Sequence, residues 1–173
     1  MQLKITMKKK IHLSSRIFLI NKKFKKNQKY HYIQIPNVII TIPILKNKKF
    51  ILVSQKRVPI NKNNYEFPSG WIDKDEKPVQ SASRELLEET GFKSIIQPKK
   101  LITLYPDPGR LSNKMTCYYT DQITKVDLPE KGIKIIFCSK DKILEMIKNS
   151  KFNNATHLAV FYHYLFKKNL SFY

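Results

Sequence analysis

Glycine, cysteine, arginine and acidic residues are all scarce in this chain. It has four glycines in 173 residues, so each marks a place where the backbone needs a turn or a close approach that other residues resist. The two cysteines, Cys117 and Cys138, sit inside apolar strand-like runs and not at metal-ligand spacing. They read as core thiols, which excludes a disulfide framework or a zinc site as the organising feature. No apolar run approaches the ~20 residues that a membrane-crossing helix needs. The longest, 38–45, is interrupted by Thr41 and Pro43. The basic start over residues 1–10 is like the n-region of a signal peptide, but Ser14, Ser15 and Arg16 break the apolar stretch that would have to follow. The expected location is the cytoplasm.

Lysine and arginine number 33 against 13 acids, for a net charge of +20. Only Arg16, Arg57, Arg84 and Arg110 are arginine. Lysine spread through the chain without clustered arginine reads as compositional bias and not as a groove built for phosphate and base contacts. Nucleic-acid binding is therefore the minor alternative. A positive field still draws in a phosphorylated substrate.

With 42% hydrophobic and 12% aromatic residues, the chain can build a core. No repeat, low-complexity tract or linker divides it. Strand-like segments rich in Ile, Val, Tyr and Phe are expected at 11–20, 29–35, 37–45 and 49–55, separated by Lys/Asn breaks. Pro78 then opens a helical pattern through Val79, Ala82, Leu86 and Leu87 that Gly91 stops. Further strands are expected at 100–105, 115–123 and 133–138, and helices at about 141–149 and 155–167. Alternating elements of this kind predict a mixed sheet with helices packed on it, an α/β protein.

The acids are unevenly placed. Glu66, Asp73, Asp75, Glu76, Glu85, Glu88 and Glu89 fall within residues 66–89. On the predicted helix, Glu85, Glu88 and Glu89 stand at i, i+3 and i+4, so three carboxylates share one face. Their mutual repulsion suggests a cation between them, and oxygen donors without nearby His or Cys suit Mg²⁺, or Mn²⁺, better than zinc. The bland alternative is a solvated acidic face balanced by Arg84 and nearby lysines.

Gly70, Glu76, Arg84, Glu85, Leu86, Glu88, Glu89, Gly91 and Phe92 resemble the Nudix box, G-x5-E-x7-R-E-U-x-E-E-x-G-U, at every position and with unbroken spacing. Gly70 is expected to permit a sharp strand-to-loop turn and Gly91 a helix C-cap, with Arg84 forking onto Glu76 or a helix glutamate. The resemblance implies a Nudix-type α/β/α sandwich with the box as a loop–helix. Residues 36–173 would form the hydrolase domain, and 1–35 N-terminal strands that contribute to dimerisation or substrate. It further implies Glu85 and Glu89 as the principal metal ligands, Glu88 as a further ligand or water-organiser, and the backbone carbonyl of Ser69 as a ligand.

Three flanking stretches are similar to the ADP-ribose and ADP-sugar pyrophosphatase branch: 55–59 followed by 65–73, the loop 105–113, and 152–156 at the last helix. By that resemblance Arg57 contacts the substrate diphosphate, with Glu66, Trp71 and Arg110 also assigned to substrate binding. Glu66 would meet a second metal or a ribose hydroxyl, or serve structure alone. Glu130 is the candidate catalytic base, in a register about one residue off that brings Lys131 into contention. The N-terminal strands, from which relatives take the rings that stack adenine, look shortened, and Phe18, Phe24, Tyr30 and Tyr32 are possible substitutes. The implied reaction is Mg²⁺-dependent hydrolysis of ADP-ribose to AMP and ribose 5-phosphate by a homodimer. GDP-mannose, dinucleotide polyphosphates and nucleoside triphosphates are the alternative substrates.

Overall fold

The computed structural model describes residues 5–24 and 28–171, so parts of the expected N-terminal unit, 1–4 and 25–27, lie outside the described residues. Strands β1 (Ile5–His12), β2 (Phe18–Phe24) and β3 (Lys29–Gln34) form an antiparallel sheet in the order β1-β2-β3. The strand expected at 11–20 is thus two strands of a hairpin. Leu13 and Ser14 both donate backbone N–H bonds to the Ile17 carbonyl, at 2.9 and 3.1 Å, and the polar Ser14-Ser15 pair makes the turn. Lysines carry much of the length of β1 and β2.

β4 (Val38–Pro43) and β5 (Phe50–Arg57) follow, then a single 3-10 turn, β6 (Lys62–Glu66) and β7 (Ser69–Trp71). Helix α1 (Pro78–Thr90) leads through β8 (Phe92–Ser94) and β9 (Lys99–Leu104) to β10 (Met115–Thr120). β11 (Ile123–Lys125), β12 (Lys134–Cys138), α2 (Lys140–Lys148) and α3 (Ala155–Lys167) complete the chain. The segment expected as one strand at 115–123 is broken at Asp121-Gln122, and Ile123 restarts as β11 against β8.

One sheet runs β7-β4-β10-β9 and another β12-β5-β6, with β11-β8 as a separate ribbon. β10 pairs parallel to β4, while the other named pairings are antiparallel, so the architecture is mixed as expected.

Period-2 alternation divides these strands between two helical layers. Ile40 and Ile42 of β4, Cys117 and Tyr119 of β10, and Phe50 and Leu52 of β5 pack with Ile143 of α2 and Val160, Phe161 and Leu165 of α3. On the opposite face, Ile39 and Tyr118 meet Ala82, and Ile51 meets Leu86, both on α1. The result is an α/β/α sandwich. No helix of the described residues is long and apolar enough to cross a membrane.

Helix α1 begins at Pro78, where the missing N–H costs nothing, and the Gln80 side chain accepts the Lys77 N–H at 2.9 Å. It ends at Gly91, whose φ of +65° is left-handed and whose N–H returns to the Leu87 carbonyl at 2.6 Å. A Cβ there would lie 2.0 Å from the Asp127 carbonyl oxygen. Gly91→Ala therefore meets both backbone strain and a backbone clash, and is expected to lose about 2 kcal/mol in urea denaturation. An unchanged midpoint would contradict this account of the cap.

Candidate active site

On the exposed edge of α1, Arg84 works as a hub. Its Nε and Nη2 donate to the two oxygens of Glu76 at 3.2 and 3.1 Å, while Nη1 reaches Glu85 at 2.8 Å and Glu88 at 2.9 Å. Nη2 also donates to the Trp71 carbonyl at 3.1 Å. Glu76 accepts in addition from the Ser81 hydroxyl and from the Asp73 N–H. The expected fork onto Glu76 or a helix glutamate is therefore both at once. These bonds hold the Glu76 carboxyl below its ordinary range, with the Arg84 bond the main cause.

The next turn of α1 carries Glu89, which is 6% exposed. Its two oxygens accept from the Ser69 N–H at 2.9 Å and from Gln55 Nε2 at 3.1 Å. Burial raises its carboxyl to about 7, the neighbouring Glu85 adds to the rise, and the two hydrogen bonds oppose it. Burial likewise raises Glu85, and the charges of Glu88 and Glu130 add to that push while Arg84 opposes it. Glu85 and Glu89 are thus adjacent carboxylates that resist being ionised together.

Gly70 lies between these groups, but not for the reason its sequence context suggests. It sits inside β7, opposite Ile39, and a Cβ there would be 2.0 Å from Glu85 Oε1. The glycine clears space for a carboxylate and makes no sharp turn.

The structure brings Glu130 to the same end of the helix. Its backbone N–H donates to the Glu88 carbonyl at 2.9 Å, and Val126 and Asp127 anchor the start of the loop on the Gly91 carbonyl at 3.0 and 3.1 Å. Trp71 is 40% exposed, and its ring stacks under the Arg16 guanidinium at 5.3 Å. Arg110 extends into solvent with Asp107 at 3.5 Å, on a loop that β3 holds through the Ile33 N–H. Neither the Trp71 ring nor the Arg110 side chain touches the carboxylates among the described contacts. Of the aromatic alternatives, Tyr30 donates to the Gly109 carbonyl of that loop, and Phe18 lines an open cleft of about 1020 Å³ with Arg16 and Asp73.

Beside the acidic cluster stands a buried second one. On β5 and β6, Gln55 pairs with Asn64 and Val53 with Glu66, which puts Gln55, Asn64 and Glu66 on one face. Glu66 is 2% exposed and takes a fork from Arg57, whose Nε donates to Oε1 at 3.2 Å and whose Nη2 donates to Oε2. Burial alone would raise the Glu66 carboxyl, but Arg57, His157 and Asn64 together hold it below its ordinary range. Arg57 also feels Glu89, so the two clusters are electrostatic neighbours.

Oxygen is the only donor type in the acidic cluster. The contact between Glu89 and the Ser69 N–H brings β7 backbone beside the carboxylates, and Gly70 leaves them room. This chemistry fits a hard divalent cation. Among the described residues, however, no three His, Cys, Asp or Glu side chains close into a cage, because Arg84 draws Glu85 and Glu88 to itself while Glu89 turns to Ser69 and Gln55.

Residues 35–154 match the NUDIX domain family, a range that includes α1 and the loop before it. The chain belongs to the NUDIX family of hydrolases. It is 29% identical over 133 residues to the methanol dehydrogenase activator of Bacillus methanolicus, covering 73% of this chain and 71% of that protein. It is 30% identical over 105 residues to the ADP-ribose pyrophosphatase of Bacillus subtilis, covering 61% of this chain and 51% of that protein. With the ADP-sugar pyrophosphatase of Mus musculus it shares 36% identity over 96 residues, covering 53% of this chain and 43% of that protein. The chain thus spans about half the length of the two pyrophosphatases. In fold it is similar to a crystal structure of an ADP compounds hydrolase, at a TM-score of 0.80 and 18% identity, covering 99% of this chain and 98% of that one.

Four residues of these two clusters carry no role in the sequence reading: Gln55, Asn64, Asn154 and His157. Strand alternation relates Gln55 to Arg57 and Asn64 to Glu66, and so offered a signal for the first two. Asn154 and His157 arrive from α3 across the fold and offered none. His157 Nδ1 accepts the Phe67 N–H at 3.0 Å, which leaves Nε2 facing Glu66 Oε2 at 4.0 Å.

Burial lowers the His157 imidazole to about 4, with Glu66 opposing and Arg57 assisting. The unfolded chain, with an ordinary histidine near 6.5, binds more protons in that window, so stability rises with pH between them. Glu66, held low, adds loss of the same sign below its ordinary range, near 4.5. From pH 7 to 4.5 the His157 share of that loss is expected to be roughly 2 kcal/mol, while Glu89 and Glu85, raised by burial, bind protons more readily in the folded chain and offset it. His157→Asn, which keeps an acceptor for Phe67, should remove that share in urea titrations, so that the variant gains stability on acidification relative to the wild type. An equal slope in the variant would refute the assignment.

Proposed function

We propose that this NUDIX hydrolase cleaves the diphosphate bond of ADP-ribose or a closely related ADP-sugar, adding water across P–O–P to release AMP and the sugar phosphate, ribose 5-phosphate in the case of ADP-ribose. The observation that supports the reading is the nearness of Arg57 to Glu89, which Gln55 of the same strand β5 binds, since a diphosphate can then lie between the guanidinium and a cation held by the acids. The activities named for the Bacillus subtilis and mouse relatives favour the adenosine diphosphate class, and stretches 55–59 and 65–73 lie within the residues that match the NUDIX domain, 35–154.

In this reading Glu85 and Glu89, with Glu88 and the Ser69 carbonyl, hold a divalent cation, Mg²⁺ by preference and Mn²⁺ as a substitute. Such an ion supplies positive charge against the diphosphate oxygens and acidifies water. Arg84 maintains the spacing of the carboxylates. Arg57 keeps one edge of its guanidinium on Glu66, and its remaining Nη1 donates to a diphosphate oxygen. Glu130 accepts the proton of the attacking water from its loop over the end of α1. Trp71, with the aromatic rings of β1–β3, offers surface for the base, and Arg110 offers a mobile positive charge at the rim. Residues 1–35 would serve a homodimer, in which case light scattering reads twice the chain mass.

Purified protein with Mg²⁺ is expected to release AMP from ADP-ribose faster than it cleaves GDP-mannose, diadenosine polyphosphates or nucleoside triphosphates. Chelation by EDTA should abolish the activity. Glu85→Gln, with its thermal midpoint preserved, should lower kcat by a factor on the order of 10² or more. Wild-type rates in that variant would overturn the metal assignment, and faster turnover of another substrate would overturn the choice of ADP-ribose.

A further inference from the structure

Glu66 is a charged group in the interior, and its position is set by more than its arginine. Oε1 accepts three bonds: from Arg57 Nε at 3.2 Å, from Asn64 Nδ2 at 2.9 Å and from Asn154 Nδ2 at 3.2 Å. Oε2 accepts from Arg57 Nη2 and faces His157 Nε2. Asn64 belongs to the same strand as Glu66, so that bond is local. Asn154 lies 88 residues away and is the N-cap of α3, where its Oδ1 accepts the Thr156 N–H at 3.2 Å and the Thr156 hydroxyl at 2.8 Å.

One side chain thus does two jobs with its two ends. The oxygen starts a helix and the nitrogen pins a carboxylate. Because Glu66 engages Nε and Nη2 of Arg57, the third nitrogen, Nη1, has no partner among the described residues. The arginine side chain is 40% exposed and lines an open cavity of about 310 Å³ together with Asn64, Asn154 and His157. A guanidinium held by one edge in this way is oriented before a ligand arrives, and its other edge is left to take one.

We propose that Asn154 is a positioning residue: its amide, by fixing Glu66, sets the angle at which Arg57 presents its free edge to a substrate diphosphate. The inference rests on the reading of Arg57 as a diphosphate contact. If Asn154 loses its amide, Glu66 keeps its charge and its ion pair with Arg57, but gains freedom to rotate and to carry the guanidinium with it.

The two jobs separate cleanly by substitution. Asn154→Ser retains an N-cap oxygen and lacks the amide, so α3 remains capped and the thermal midpoint should hold within about 2 °C. Asn154→Asp keeps cap and size but turns an acceptor toward Glu66. Binding is read by calorimetry with methylenediphosphonate, whose P–C–P bridge hydrolysis cannot cut, in the presence of Mg²⁺. Each variant is prepared alone and in an Arg57→Ala background.

Asn154→Ser is expected to weaken binding about tenfold, and to raise KM for ADP-ribose by a similar factor while kcat changes less. Asn154→Asp should weaken it more, and neither should matter once Arg57 is alanine. Unchanged binding in both single variants, or an equal loss in the Arg57→Ala background, would overturn the proposal. The reading beneath it fails differently: Arg57→Ala alone would then bind the probe as tightly as wild type does.

Discussion

Repulsion among carboxylates is the constraint around which this NUDIX domain is arranged. Glu85, Glu88 and Glu89 share one helical face of α1, and two of them are too buried for water to screen. Arg84 answers this on the outer side by binding Glu76, Glu85 and Glu88 from one guanidinium. On the inner side Glu89 is answered by two neutral donors, Ser69 N–H and Gln55. Neutral donors restrain a carboxylate without cancelling its charge, so the inner pair keeps a negative potential that a solvated acidic face would not have.

The sheets then follow from the need to bring these donors into reach. β4 carries β7 alongside it, and β7 carries Ser69 and Gly70 to the helix, where the missing Cβ leaves room for Glu85. β5 places Gln55 and Arg57 two residues apart on one face, so that one addresses Glu89 and the other Glu66. Alternation along a single strand therefore links the acidic cluster to a second, internally neutralised one. That second cluster is tied to α3 through Asn154 and His157, and the helix that closes the core also orients the arginine nearest the carboxylates.

What could be read from sequence was local. The box spacing, the Pro78 start and the Gly91 stop of α1 all depend on neighbours within a turn or two, and the structure has them where they were expected. The apolar strands β4, β5 and β10 were legible because both faces are buried. The β1–β2 hairpin was misread as one strand at 11–20 because its lysine-rich arms lack an apolar period, and the short β6, β7 and β8 offered too few residues to show one. Gly70 was placed at the right position with the wrong cause, since a close approach by a residue 15 positions later leaves no local trace. The α3 side of the Glu66 network was illegible for the same reason: Asn154 and His157 come from the far end of the chain.

Calorimetric titration with Mn²⁺ addresses the central claim most directly, because it asks whether the potential between Glu85 and Glu89 is there to hold a cation. The account expects saturable uptake by the wild-type chain and affinity at least about tenfold weaker in Glu89→Gln. No uptake by the wild type, even beside methylenediphosphonate, or equal uptake by the variant, would contradict it.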